Sequence, residues 1–407
     1  MACENVNLYE QPENPLHKIP IYDQDGDGTC YAYTAAQLID YYNFKKNPDH
    51  KLTSALWVAF GHKYRNIKLM SKLINRITHP RRMFGISEPH QLGYSDINLA
   101  LYDIRDVGIC DADILKASIK KFRLTDKLND DEFLYLFNLV SENVKQLRKE
   151  DAYIEEDEKK RIFDIALNDL IKQREKDILD PVTKLSTVAN LNQLRISPEI
   201  TCGPTSPTPE AEELYSQIMS VFSFDKKNRQ LEILKQNAFK DCFQEGAISK
   251  VEIPKTEHVG EFFASNQKIL NSIDKALDTK NSPAAVGYCS KVMSTPEFTP
   301  PVPLGPDGII PKPRVLQLAS SKNVQKCSPH YSLVVARRSR GEQCQYMIRN
   351  TYGTHFWNKF MDCTCEKDGK QFDCNYTTHG DQDLKVLGCW INGENLAEST
   401  FSVTSFK

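Results

Sequence analysis

The sequence has no uninterrupted apolar run of the ~18 residues or more that a membrane helix needs, which argues against a helical span. It also lacks an excess of charge of one sign. Against 52 Lys and Arg stand 54 Asp and Glu, a net charge of −2, so no broad surface for nucleic acid or an acidic membrane is expected. No internal repeat is present. The opening MACENVNLYEQPENPLHK has no basic start followed by an apolar segment, so a secretory signal is absent or already removed. The cysteines Cys363, Cys365, Cys374 and Cys389 lack the paired C-x₂₋₄-C spacing of a zinc site.

What is present fits a folded globular chain. Hydrophobic residues make up 40% and charged residues 26% of 407 residues, enough for two or three domains or one domain with a large insertion. Twelve cysteines favour disulfides and an oxidising compartment, secreted or periplasmic, over the cytosol. The C-terminal four allow three connectivities that spacing does not separate. Cys202, Cys242, Cys289, Cys327 and Cys344 are further candidates for pairing.

Along the chain, HKIPIYDQ reads as extended around Pro20, and CYAYTAAQLIDYYNF, from Cys30, reads as a buried helix free of Pro and Gly. In HQLGYSDINLALYDIRDVGICDADI a second helix pattern follows Gly93 and stops at Gly108. From about Asp111 to Val259 the chain is Lys- and Glu-rich with helical periodicity and almost no strand signal, an inserted subdomain with solvated faces. From Asn266 the pattern is mixed again: NQKILNSIDKALDTK is amphipathic, SPAAVGYC is a strand candidate, and STPEFTPPVPLGPDGIIPKPR is an irregular loop.

The stretch YDQDGDGTCYAYT invites two readings. Asp23, Asp25, Asp27 and Gly28 occupy positions 1, 3, 5 and 6 of a calcium loop, but the twelfth position is Thr34, which cannot supply a bidentate carboxylate. The segment before it also reads as extended where an EF-hand requires a helix. No metal site is expected.

The alternative centres on Cys30 at a helix N-terminus, where the dipole and a nearby imidazolium lower a thiol pKa to about 3.5–7.5. Gly26 and Gly28 let the loop bend its N–H groups, with the Gln24 amide, toward an oxyanion. A base comes from CSPHYSLVVARRSRGEQCQYMIRNTYGTHF. Two strands, Tyr331 to Arg337 and Gln345 to Arg349, join through a turn containing Gly341, and pairing them about Arg340 sets His330 opposite Asn350. His330 then serves as base with Asn350 orienting it, a Cys-His-Asn arrangement. His355 lies beyond the glycine turn and fits a surface loop better.

These residues resemble those of the papain-like cysteine peptidases. Gln24, then Cys30 with Tyr31, Ala32 and Tyr33, matches the nucleophile block, and His330 with Asn350-Thr351-Tyr352-Gly353 matches the second block with conservative changes. GYSDINLALYDIRDVGI resembles the segment beside the substrate backbone and keeps one glycine of the usual two, which makes Gly93 and Tyr94 substrate-binding candidates. The chain departs from the family in three places. Asp27 stands where a disulfide cysteine is common, Tyr352 replaces a tryptophan that shields the His–Asn bond, and Tyr331 replaces a small residue and narrows the cleft.

The resemblance covers about residues 15–110 and 265–400. It implies an α+β fold of two subdomains, a helical left part and an antiparallel right part, with a large helical insertion. The boundaries are 1–110 for the nucleophile part, 111–264 for the insertion and 265–407 for the β-rich part with His330 and Asn350. It further implies peptide-bond hydrolysis through an acyl-enzyme, protein or peptide substrates, and no cofactor. The alternatives are an inactive binding module on the same fold, and an acyl-transfer or deamidating enzyme.

Overall fold

The computed structural model describes residues 3–22, 29–63, 95–122, 128, 132, 136–137, 139–140, 155–177, 181–194, 208–221, 234–260, 265–290, 329–351, 361–375 and 384–407. Among them, helices α1 (Cys30–Lys46) and α2 (Ile97–Val107) come first, with residues 55–63 also helical between them. α1 is buried along its length from Cys30 to Tyr41, as an alanine-rich helix without a solvent face should be. Its polar members are met from within: the Asp40 carboxylate accepts the Thr53 N–H at 2.8 Å and bonds His50 Nε2 at 3.0 Å. α2 is amphipathic, is capped by Asp96 through the N–H groups of Asn98 and Leu99, and stops at Gly108 as the pattern predicts.

The described residues also form a nine-stranded antiparallel sheet. The strands are β1 (Val6–Asn7), β4 (Thr256–Gly260), β5 (Ala284–Cys289), β6 (Pro329–Arg340), β7 (Gln343–Arg349), β8 (Cys363–Lys367), β9 (Lys370–Cys374), β10 (Lys385–Asn392) and β11 (Thr400–Phe406). Their order is β4-β11-β5-β6-β7-β10-β8-β9, with β1 pairing the far end of β6. α1 packs on β5 and β6, and the core runs continuously from Tyr31, Ala35 and Leu38 into Val286, Val334 and Ile348. Each fully buried aliphatic or aromatic side chain there stabilises the fold by about 1.5–3 kcal/mol. Helices α7 (Asn266–Asp274) and α8 (Gly393–Ser399) pack on each other, against β11 and β7 respectively. The architecture is thus mixed helix and antiparallel sheet, α+β overall.

The segment expected as a helical insertion holds α3 (Ala112–Phe122), α4 (Glu156–Asp177), α5 (Pro181–Asn192) and α6 (Pro209–Val221). It leaves and rejoins the rest of the chain at one place. β2 (Ile109–Cys110) pairs β3 (Ile248–Ser249), and the Cys110–Cys242 disulfide closes the same neck. Phe239 stacks on Phe60 at 4.3 Å beside Trp57, which fixes the returning chain to the helical residues 55–63. One boundary needs correction. β4 falls inside the 111–264 span, yet it is the edge strand of the main sheet, paired with β11 through Val403↔Val259. Short strands of this kind depend on a distant partner, so the local pattern does not announce them.

The remaining described disulfides are Cys3–Cys344, Cys363–Cys389 and Cys365–Cys374. All four C-terminal cysteines are therefore spent in covalent bonds, and among the described residues no group of side chains is arranged to hold a metal ion. Cys289 is a buried free thiol, and Cys202 and Cys327 lie outside the described residues. No helix among the described residues is long and apolar enough to cross a membrane.

Candidate active site

Cys30 is the first residue of α1, and the residue before it decides its surroundings. Thr29 occupies the N-cap position without a side-chain cap bond, while its carbonyl accepts Ala32 N at 2.7 Å and Tyr33 N at 3.2 Å. The first N–H groups of the helix are thereby left for other acceptors. The backbone N–H groups of Tyr331, Tyr31 and Cys30 itself lie near enough to the sulfur to favour its thiolate. Tyr331 follows His330, so the head of α1 and the start of β6 meet at this point.

The thiol itself behaves differently from the expectation. Burial, with Cys30 only 4% exposed, pushes its pKa up to about 11, and those N–H groups recover only part of the shift. A low-pKa thiolate was expected from the helix dipole, but here desolvation of a charged sulfur outweighs it. His330 moves the other way. Burial takes it down to about 4, with the Asn350 hydrogen bond opposing. Thiol and imidazole are both neutral at rest near pH 7.

The hairpin that carries His330 and Asn350 is closed by Gly341 and Glu342 between Arg340 and Gln343. Gly341 has φ 61°, a value that favours glycine and suits a two-residue hairpin turn. This turn lies later than the expected centre at Arg340, and the pairing changes accordingly. His330 stands opposite Tyr288 of β5, and extending the Leu333↔Arg349 pair by one residue sets Asn350 opposite Ser332. The register predicted from sequence is thus off by two residues.

A bulge at Val335, between the pairs Val334↔Ile348 and Ala336↔Met347, decides which face Asn350 presents. Without the extra residue, Asn350 would oppose Leu333 and face away from His330, since a slip of one residue inverts a strand. With it, Asn350 shares a face with Ser332 and His330. His330 Nε2 lies 2.8 Å from Asn350 Oδ1, a diagonal contact across the ladder.

The hydrogen bonds also determine the tautomer. Thr351 N–H donates to Asn350 Oδ1 at 2.7 Å and Ser332 Oγ does so at 3.4 Å, which identifies that atom as the amide oxygen. Nε2 of His330 is then the donor, and in a neutral imidazole Nδ1 carries the lone pair. Tyr288 sets its ring edge-on to His330 at 5.6 Å, and its hydroxyl bonds Ser332 Oγ at 3.0 Å. Tyr288 and Ser332 were not singled out in the sequence; each lies in a recognisable strand, but only the register reveals what it touches.

Tyr331 occupies the space expected for a small residue. Its register partner is Gly287, where an added Cβ would come within 2.5 Å of the Tyr331 ring, and Phe401 meets that ring edge-on at 5.5 Å. Of the other expected site residues, Gln24, Gly93, Tyr94, Tyr352, Gly353 and His355 lie outside the described residues, as does the acidic loop Asp23–Gly28.

A second buried histidine lies nearby. His62 Nδ1 bonds Asp103 Oδ2 at 2.6 Å and its Nε2 bonds Ser95 Oγ at 2.6 Å, with the Tyr31 ring edge-on at 5.8 Å. Burial lowers its pKa while Asp103 opposes the shift.

No family model matches this chain, and no curated protein matches it.

Proposed function

We propose that the protein is a cysteine peptidase of papain-like type, hydrolysing peptide bonds through Cys30, His330 and Asn350. The observation that carries this reading is the 2.8 Å His330–Asn350 bond at the start of a strand that packs on α1, with the next residue, Tyr331, close to the sulfur at the head of that helix. The tautomer supports it, because a neutral imidazole protonated on Nε2 can accept the thiol proton on Nδ1. The resemblance of the blocks around Cys30, His330 and Asn350 points to the same chemistry, and a fold of mixed helix and antiparallel sheet accords with it.

In this mechanism the resting pair is neutral, so the proton leaves sulfur as the carbon–sulfur bond forms. Cys30 attacks the peptide carbonyl, His330 takes the proton, and Asn350 Oδ1 holds the imidazolium through Nε2–H. His330 then protonates the leaving amine, and water, deprotonated by the same imidazole, releases the acid. The Cys30 N–H and the Gln24 amide would stabilise the oxyanion, an interaction of the kind whose loss lowers rate by roughly 10²–10³. Four disulfides accord with work in an oxidising compartment, and secretion is part of the proposal.

Incubation with an unbiased peptide library tests the reading: the wild type should cleave members of it and Cys30→Ala none. Undiminished cleavage by the variant would remove the assignment. A second reading, an inactive binding module on this fold, is favoured by one observation, the burial of the thiol. A peptidyl epoxide or vinyl sulfone separates the two, since an inactive site leaves Cys30 unmodified.

A further inference from the structure

Arg349, the last residue of β7, is a charged side chain at the end of an apolar strand and is 1% exposed. A guanidinium carries five N–H donors in one plane and no acceptor, and its burial is costly unless they are met. Nε donates to Gln37 Oε1 at 2.8 Å, Nη1 to the Tyr9 hydroxyl, and Nη2 to the carbonyls of Ile19 at 2.6 Å and Pro20 at 2.8 Å. Every one of these acceptors is neutral. What Arg349 contributes is therefore direction, a planar fork fitted to several chain segments at once.

The segments it joins are those the proposed chemistry needs. Asn350 is the next residue. Gln37 lies on α1, seven residues after Cys30 and hence on the same side of that helix. Ile19 and Pro20 belong to the chain that runs into the Asp23–Gly28 loop, which carries Gln24. We propose that Arg349 is a positioning residue: one buried guanidinium holds the Asn350 strand end, the nucleophile helix and the Ile19–Pro20 segment in mutual register. The proposal rests on the peptidase reading of Cys30, His330 and Asn350.

Arg337 on the neighbouring strand provides the contrast. It is also buried, but it pairs with carboxylates, Asp274 at 2.7 Å and Asp278 at 2.9 Å, and binds the Glu4 carbonyl. Its loss should weaken the fold without touching the site. Lysine at position 349 keeps a charge but cannot reproduce a planar fork, so it should rescue little.

The test compares Arg349→Lys, Arg349→Met, the milder Tyr9→Phe and the control Arg337→Met. Each is measured for kcat and KM on a cleaved library peptide, for Tm, for alkylation of Cys30 by iodoacetamide, and for protection of Cys30 by a peptide aldehyde. Misplacement by an ångström lowers rates by about 10²-fold, so both Arg349 variants should lose kcat on that scale with KM within about threefold. Aldehyde protection, which needs the oxyanion donors, should weaken about tenfold or more while iodoacetamide alkylation changes less than about threefold. Tyr9→Phe should fold normally and lose kcat by several-fold. Arg337→Met should lower Tm while keeping kcat.

Full kcat in Arg349→Lys and Tyr9→Phe would overturn the proposal, as would a kcat loss in Arg337→Met that matches its loss of Tm. A wild type that iodoacetamide alkylates at Cys30, but that neither cleaves peptides nor binds the aldehyde, would remove the peptidase reading itself and the role of Arg349 with it.

Discussion

His330 and His62 are both buried within the same molecule, at 3% and 2% exposure, and both have pKa values lowered by burial. Their partners differ. His62 lies between a carboxylate and a hydroxyl, Asp103 and Ser95, in what resembles a Ser-His-Asp row. His330 has an amide, Asn350, and is followed by Tyr331, which lies close to Cys30. The residue after Ser95 is Asp96, whose carboxylate takes the N–H groups of Asn98 and Leu99 at the head of α2, so among the described residues these two donors are already engaged. On the proposed reading, what sets Cys30 apart from this row is the N–H groups at the head of its helix. Cys30 has those of an uncapped helix N-terminus.

Exchanging the two histidines' fates is the severest test of this contrast. His330→Ala should lower kcat by about 10²–10⁴-fold, the usual contribution of a positioned general base. His62→Gln should leave kcat within a few-fold but destabilise the fold by about 1–3 kcal/mol, since it removes the buried His62–Asp103 bond; Tm and kinetics read both. Equal kinetic losses in the two variants would abolish the distinction.

A smaller change turns the partner of His330 into that of His62. In Asn350→Asp the carboxylate would favour the imidazolium, so the acid limb of kcat/KM, expected near pH 4 in the wild type, should move up by about one to three pH units. An unmoved limb would mean that His330 does not govern it. The same histidine affects stability. Its folded pKa of about 4 lies below the unfolded value of 6.5, so the unfolded chain binds more protons between them, and stability falls as pH drops through that window, by about 3 kcal/mol in full. Urea titrations of His330→Gln should show a shallower loss from pH 6.5 to 4 than the wild type; His62 contributes in the same direction to both.

The smallest expected effect concerns access. Tyr331→Ala should leave the pH profile in place and enlarge the range of side chains accepted beside the scissile bond, as the space over Gly287 opens. Unchanged library preferences would show that the ring does not wall the cleft.

Much of this arrangement could be read before any coordinates. α1 and α2 were legible because burial and periodicity are local, and Cys30, His330 and Asn350 stood out by type and order. The bulge at Val335 was not legible: VVARR is a uniform strand pattern, and the extra residue shows only against its partner. Nor was the protonation state, because burial of Cys30 is a property of the packed whole and reverses the effect of the helix dipole. Arg349 left a signal that went unused, a charge at the end of an apolar strand. The end of the insertion was missed because β3 and β4 are defined by pairing with Ile109–Cys110 and β11.

The most direct test of the central claim is mass-spectrometric mapping of a peptidyl vinyl sulfone on the intact protein and on His330→Ala. The account predicts one modified residue, Cys30, in the wild type, and a rate lower by about 10²-fold or more in the variant. Modification of Cys30 at the same rate with and without the imidazole, or modification of other residues while Cys30 stays intact, would contradict it.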